Sequence, residues 1–552
     1  MILFDKISLP SYLKNNNLLF IFFLALLLIP SCAKKKADVS TKDELILYLD
    51  TLEQKYEDAC VQTGLANWNM YSREGKSDLD DAKKLFTKIF LDTLNQKTNE
   101  EWRGKAASLA DKTLERRLEM WHRCFIGGRI YADSDIAKLE NKLQRKIANY
   151  KLYHDGNRIT QTEIENEIRK EQDQNKRKRL WSTMGQVSEA VKEDLVSLVK
   201  LRNEKAQSLG YYNYYSLSLY LQMIKEDWLL ETMNKLDEST KEKFQDFIDA
   251  SKKKLKVKKF DVWDFNTALY RWTSISDSYF PKDSVFKVLH SFHRNVGFNV
   301  DSLPIKEVVK DIPFGGLNVG IKIPTDSRFL INPIDGKTFF NVAFHEYGHA
   351  LQITHTKVDY PILKGYEWIP GASCAAYSEG VAELQAEFVN DAEWLLSFTS
   401  ASQDEIDKYI ATRTFSDLYS LRNRMKDFFF EYEMYKHPDQ NLDSLEHAVY
   451  KNYLLVDIEE NVPTRFASSM LYVMYPCYYH NYILADMIAT QTFEVIISKF
   501  GDERLTNTNV SKWIIDHLYL NGEIEEWQDR IINATGKSLE TGAYLRKLQI
   551  MN

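Results

Sequence analysis

The sequence predicts a large, mainly α-helical body carrying one small β element, and three observations predict it. Its 552 residues include only 21 glycines and 12 prolines, below the ~7% and ~5% of average chains, which leaves little material for turn-rich β-sandwiches, collagenous repeats or long linkers. Apolar residues recur at three- and four-residue spacing, as packed amphipathic helices require. That period breaks down between Pro304 and Pro333. With 44% hydrophobic and 27% charged residues the chain can bury a sizeable core and still cover its surface. The 72 basic and 79 acidic side chains leave a net charge of −7, without the basic footprint that a phosphate backbone demands, so no nucleic-acid partner is expected.

At the N-terminus, Leu18 to Ile29 form an apolar run preceded by Lys6 and Lys14. It is too short to cross a ~30 Å hydrocarbon core and fits the h-region of an export signal. The following Ile29-Pro30-Ser31-Cys32 resembles a bacterial lipobox, in which Cys32 is lipidated once the signal is removed. Residues 1–31 are then a lipoprotein signal peptide, 32–44 a lipidated tether and 45–552 one helical domain. The protein is expected in a bacterial cell envelope, a monomer held to a membrane by acyl chains that contribute ~0.8 kcal/mol per buried CH₂. An ordinary cleaved signal or a short anchor are the alternatives. Cys60, Cys124, Cys374 and Cys477 form no Cys-x-x-Cys pair, so no thiolate metal site is expected, and disulfides and buried free thiols both stay open.

From Lys42 to about Lys259 the helical spacing is carried by sets such as Leu45, Leu47, Leu49, Leu52 and Tyr56, or Leu195, Leu198, Val199 and Leu201. Gly127-Gly128, Asp155-Gly156-Asn157 and Gly210 read as breaks. The basic run from Lys252 to Lys259 reads as a solvated helix end or as a contact for acidic lipid or a partner. Phe314-Gly315-Gly316-Leu317 and Val319-Gly320-Ile321-Lys322-Ile323 favour a short strand or hairpin. A helix is expected from Thr338 to Thr354, capped by Asp335 or Thr338. Others are expected over Ala375–Asn390, Gln403–Lys436, Ser444–Tyr453 and Tyr478–Phe500.

The residues that carry chemistry are His345-Glu346-Tyr347-Gly348-His349. On a helix, residues four apart share a face, so His345 and His349 can present two imidazole nitrogens to one ion at ~2.0–2.1 Å, as zinc prefers. Glu346, one position round the helix, can take a proton from the attacking water. A catalytic zinc site asks for a third protein ligand and an open position. Glu379, in Tyr377-Ser378-Glu379-Gly380-Val381-Ala382-Glu383, is the candidate, with Glu383 one turn later placed to accept an Nδ1–H bond from a histidine. The alternatives are that Glu383 is the ligand, or that both acids are exposed. Five tyrosines crowd Tyr472 to Tyr482. Such density suits a core or a cleft lining, but phenols at i and i+3 can also serve a developing oxyanion, and Tyr479 and Tyr482 are the pair expected to do so.

Together these residues resemble the gluzincin metallopeptidases, specifically the angiotensin-converting-enzyme (peptidyl-dipeptidase A) family in its bacterial form. The likeness extends to Leu65-Ala66-Asn67-Trp68-Asn69, Leu201-Arg202-Asn203-Glu204-Lys205-Ala206, Asp326-Ser327-Arg328 and Asn481-Tyr482-Ile483-Leu484-Ala485-Asp486, and it covers about residues 45 to 540. The resemblance implies an almost wholly helical ellipsoid split by a deep central cleft, with zinc at its floor. It implies His345, His349 and Glu379 as zinc ligands, Glu346 as general base and Glu383 as the acid behind a histidine. It also implies Tyr479 as the tyrosine on the substrate carboxylate and Tyr482 as the transition-state tyrosine. Three departures stand out. The 29 residues between His349 and Glu379 imply an inserted loop around Tyr360 to Trp368. Gly380 follows the ligand where alanine is more usual, which would loosen that helix. The family's histidine and lysine ahead of the tyrosine pair are missing from Ser468-Ser469-Met470-Leu471-Tyr472, where Tyr472, Tyr475 or His480 would have to substitute.

The expected activity is zinc-dependent hydrolysis of short peptides, as a peptidyl-dipeptidase releasing C-terminal dipeptides. The related thimet-oligopeptidase type of endopeptidase is the alternative. A zinc-containing but non-catalytic peptide-binding lipoprotein and a purely structural envelope protein are the rivals from other classes.

Overall fold

The computed structural model describes residues 39–272, 275–312, 314–334 and 336–551. The signal segment, Cys32 and the expected cap Asp335 lie outside the described residues. By its internal contacts the chain divides into Met1–Tyr48 and Leu49–Asn552. The described part of the smaller unit is the start of helix α1 (Lys42–Ser72), and everything below concerns the larger unit.

Among its described residues that unit is mainly helical, with two small sheets. Helix α2 (Lys112–Tyr131) runs straight through Gly127-Gly128, which the sequence suggested as a break. The two glycines serve close approach instead: a Cβ on Gly127 would lie 2.7 Å from Pro370 Cβ, and one on Gly128 2.4 Å from Phe90 Cγ. At Asp155-Gly156 the chain does turn, between antiparallel strands β1 (Leu152–His154) and β2 (Asn157–Ile159), a hairpin the helical period did not announce.

The second sheet positions the site. Strands β3 (Ile305–Val309), β4 (Gly316–Lys322) and β5 (Asp326–Ile331) lie in the order β3-β5-β4. β4 is the extended segment expected over Phe314 to Ile323, a single strand whose hairpin partner β5 lies beyond that stretch; β3 adds parallel to β5. Strand side chains alternate between faces, and β4 uses the alternation fully. Leu317, Val319 and Ile321 join Trp68, Ile312 and Leu330 in a hydrophobic cluster on one face. Gly316, Asn318 and Gly320 meet helix α3 (Lys337–His355) on the other. Small residues there let α3 lie close: a Cβ on Gly316 would come within 2.6 Å of Glu346 Cγ, and one on Gly320 within 3.1 Å of Ile353 Cδ1. The helix starts from Gly336 at φ 77°, with Thr338 inside its first turn rather than at the cap.

Helix α4 (Ala375–Val389) packs on α3 and also on α6 (Tyr479–Phe500). Between them in sequence lies α5 (Gln403–Lys436), started by a capping box in which the Ser402 side chain accepts from Glu405 N–H and Glu405 reaches back. Among the described residues no helix is long and apolar enough to cross a membrane, and Cys60, Cys124, Cys374 and Cys477 are buried free thiols.

Candidate metal centre

Helix α3 places His345 and His349 one turn apart, their ring centroids 4.9 Å apart and their planes at 82°. The chain leaves α3, folds back through residues 356–374, and returns as α4 against it. The approach is closest where neither helix has bulk: a Cβ on Gly348 would sit 2.7 Å from Ala382 Cα and 2.8 Å from Ala382 O. This contact brings Glu379 and Glu383, on either side of Ala382, to the histidines. Gly380 does not loosen α4 as its sequence position suggested. It allows α6 to approach, since a Cβ there would lie 2.7 Å from Ile488 Cβ.

Donor atoms of His345, His349 and Glu379 all lie within 4.8 Å of one another. His345 Nε2 stands 3.4 Å from Glu379 Oε2, long for a hydrogen bond of ~2.7–3.2 Å. It matches the ~3.3 Å edge of a tetrahedron whose corners lie ~2.05 Å from a central ion. Two imidazoles and one carboxylate are also the donor set of a catalytic zinc site, so the residues fit the metal that the sequence suggests. Of the two acids left open by the sequence, Glu379 joins this cluster, and Glu383 Oε2 accepts from His345 Nδ1 at 3.1 Å.

The acids and imidazoles of the cluster shift one another's titration. Burial would raise the Glu379 carboxyl, but the close approach of His345 and the charges of His349 and His345 outweigh it, with the Tyr478 hydroxyl adding, and the carboxyl falls to about 2. Burial would likewise lower the histidines. Glu379 and Glu383 instead hold His345 well above its usual range, and Glu367 holds His349 above its own. Glu346, buried along the β4 face, has its carboxyl raised first by burial, against the pull of His345 and His349.

The tyrosines depart from expectation in one respect. Tyr482 is at the site: burial, then the Glu379 charge, pushes its hydroxyl up to about 12, with Arg424 opposing and Glu346 adding. Tyr479 is turned away, its Oη 3.0 Å from Ser469 Oγ and its ring edge-on to Tyr472. Tyr478 takes the place beside Glu379, donating to its Oε1 at 2.8 Å and packing edge-on to Tyr482 at 5.2 Å. Tyr478 is the residue just before α6, at φ −113° and ψ −24°, so the tyrosine that reaches Glu379 comes from the cap of the helix and not from its first turn. Of the residues considered as substitutes, His480 is fully buried and bonded to Tyr215 Oη at 2.9 Å, Tyr472 is core, and Tyr475 lies between Trp368 and Tyr478 at 5.9 and 6.1 Å. Sequence reasoning also missed Glu367, whose Oε1 stands 3.3 Å from His349 Nδ1. It lies in the segment read as an inserted loop, and no helical spacing marks it.

The profile of peptidase family M3 matches residues 168–300, a stretch that ends before α3. No curated protein sequence matches the chain. Among solved structures the chain is similar to an M32 carboxypeptidase from Deinococcus radiodurans R1, at 12% identity and a TM-score of 0.64, over 92% of this chain and 98% of that one. It is similar to metallocarboxypeptidase 1 of Trypanosoma cruzi at 14% identity and a TM-score of 0.60, over 92% and 98% of the two chains. An oligoendopeptidase F gives 15% identity and a TM-score of 0.67, over 94% and 93%. At these identities the likeness shows a shared fold.

Proposed function

We propose that the protein is a zinc metallopeptidase of the gluzincin type that hydrolyses short, unfolded peptides. The observation that carries this reading is the meeting of His345, His349 and Glu379 within 4.8 Å beside the buried carboxylate of Glu346. The match to the M3 profile and the fold shared with metallocarboxypeptidases and an oligoendopeptidase support it.

When bound, the zinc ion polarises the scissile carbonyl and lowers the pKa of water from ~15.7 toward ~7. Glu346 accepts a proton from the attacking water and delivers it to the departing amine. Tyr482 donates to the oxyanion, Tyr478 orients Glu379, and Glu383 orients His345. Among the described residues strand β4 pairs with β5 alone, and its other edge offers backbone groups to a substrate in extended form.

The position of the cut follows from what grips the substrate end. Tyr479, expected on the C-terminal carboxylate, faces Ser469, and His480 is buried, which favours an oligopeptidase cutting within short peptides. Release of C-terminal dipeptides is the second reading, favoured by Arg424, whose guanidinium lies 5.3 Å from the Tyr482 ring although paired with Asp486 at 2.5 Å. A quenched fluorescent peptide should be hydrolysed by zinc-loaded protein, spared after chelation and cut again on zinc addition. Glu346→Gln should keep zinc and lose turnover. Zinc-loaded wild type that leaves a broad peptide set intact defeats the proposal. Product masses from peptides with free and amidated C-termini separate the two readings. The proposal includes an envelope location with Cys32 as lipid anchor, supported by the lipobox-like sequence. Labelled palmitate should enter the wild type in a bacterial host and not Cys32→Ala; an unlabelled wild type removes the anchor.

A further inference from the structure

Each imidazole of the candidate centre has its own carboxylate behind it, and the two carboxylates have different origins. Glu383 belongs to α4, in step with Glu379. Glu367 belongs to the segment joining α3 to α4 and is held there by contacts at both ends. Before it, Lys364 pairs with buried Glu57 at 2.5 Å, while Tyr366 Oη donates to Glu57 at 3.2 Å and accepts from Ile323 N–H at 3.2 Å. After it, Trp368 lies against Tyr475, and Pro370 rests on the bare backbone of Gly127. Between these anchors Glu367 Oε1 stands 3.3 Å from His349 Nδ1, and the Ser378 hydroxyl donates to the same oxygen while lying 3.3 Å from the same nitrogen.

We propose that Glu367 is a positioning residue of the metal centre: it accepts the Nδ1–H of His349 and so fixes the ring with Nε2 toward His345 and Glu379. The inference rests on the metal-centre reading above. A ligating histidine whose second nitrogen is free can rotate and present either nitrogen, and the loss of such a carboxylate typically costs 10–100-fold in metal affinity. Ser378, next to the ligand Glu379, locks the carboxylate from the other side. The joining segment thus becomes part of the centre, and the extra chain length between His349 and Glu379 acquires a purpose.

Zinc affinity measured by competition with a fluorescent chelator tests this together with a long-range ¹H–¹⁵N spectrum of the zinc-loaded histidines. Wild type should show His349 protonated at Nδ1. Glu367→Gln should bind zinc 10–100-fold more weakly, Glu367→Asp should recover part of the loss, and both metal-free variants should melt with the wild type. Ser378→Ala, which leaves the carboxylate in place, should shift affinity in the same direction by a smaller factor. Wild type that binds no zinc overturns the metal-centre reading. Wild type that binds zinc while Glu367→Gln binds equally well, or a His349 protonated at Nε2, overturns the role of Glu367 and leaves that reading standing.

Discussion

Replacing Gly348 by alanine tests whether the α3–α4 spacing sets the metal centre. The new methyl carbon would stand 2.7 Å from Ala382 Cα, whereas non-bonded carbons settle at ~3.5–4.0 Å, so the helices must part locally by about 0.8 Å. Overpacking of this kind costs ~1–3 kcal/mol, and the gain from replacing glycine inside a helix returns ~1 kcal/mol, leaving a net destabilisation of about 0–2 kcal/mol. A chain of this size remains folded under that load. The centre is far less tolerant, because metal–ligand distances hold within ~0.2 Å and Gly348 lies between the two histidines while Ala382 lies between Glu379 and Glu383. The expected outcome is zinc affinity at least 10-fold weaker and kcat/KM about 100-fold lower, in keeping with the effect of a ~1 Å misplacement. Chelator competition, peptide turnover and thermal unfolding of the metal-free protein measure the three quantities. A folded Gly348→Ala variant with wild-type zinc affinity and turnover refutes the reasoning.

The tyrosines give a paired prediction. Tyr482→Phe should slow kcat about 100-fold or more, the ~2.7–4 kcal/mol of one oxyanion donor, with zinc retained, while Tyr479→Phe should change it less than about threefold because its hydroxyl faces Ser469; equal effects in the peptide assay would reassign the donor. Tyr478→Phe should weaken zinc binding by chelator competition, since Glu379 loses the hydroxyl that orients it; unchanged affinity would remove that role. Burial, against the Cys477 N–H and the Arg202 charge, raises the Glu431 carboxyl to about 8, above the ~4.3 of an exposed glutamate. Between about pH 4.5 and 8 the folded protein therefore keeps a proton that the unfolded chain has released, and this group's contribution to stability falls as pH rises. Unfolding of Glu431→Gln should lose less stability than wild type from pH 5 to pH 8, by on the order of a few kcal/mol; parallel profiles would refute it.

Much of this architecture is legible in the chain, because its helices are long and their periods regular. Gln403–Lys436 and the helix bearing His345 can be read directly, and so can strand β4, where the helical period is lost. What was hidden depends on partners remote in sequence. Gly127-Gly128 looks like a break until Phe90 and Pro370 are seen packed on it. β3 has nothing to announce its parallel pairing with β5. Glu379 could be found because it shares a helical face with Glu383. Glu367 could not, since its position comes from anchors on Glu57 and Tyr475 and from no local rule. The choice between Tyr478 and Tyr479 turned on where α6 starts, and element ends are poorly defined by periodicity.

The margin of β4 that no described strand pairs with also bears on solubility. Such margins recruit strands from other molecules, and proteins guard them by shortness, irregularity and lysine. β4 spans seven residues, its register shifts between Gly320 and Lys322, and it ends on exposed Lys322. A second copy of the chain would meet a margin that is irregular and charged at one end rather than a flat, continuous template, which guards against edge-to-edge growth without covering the strand.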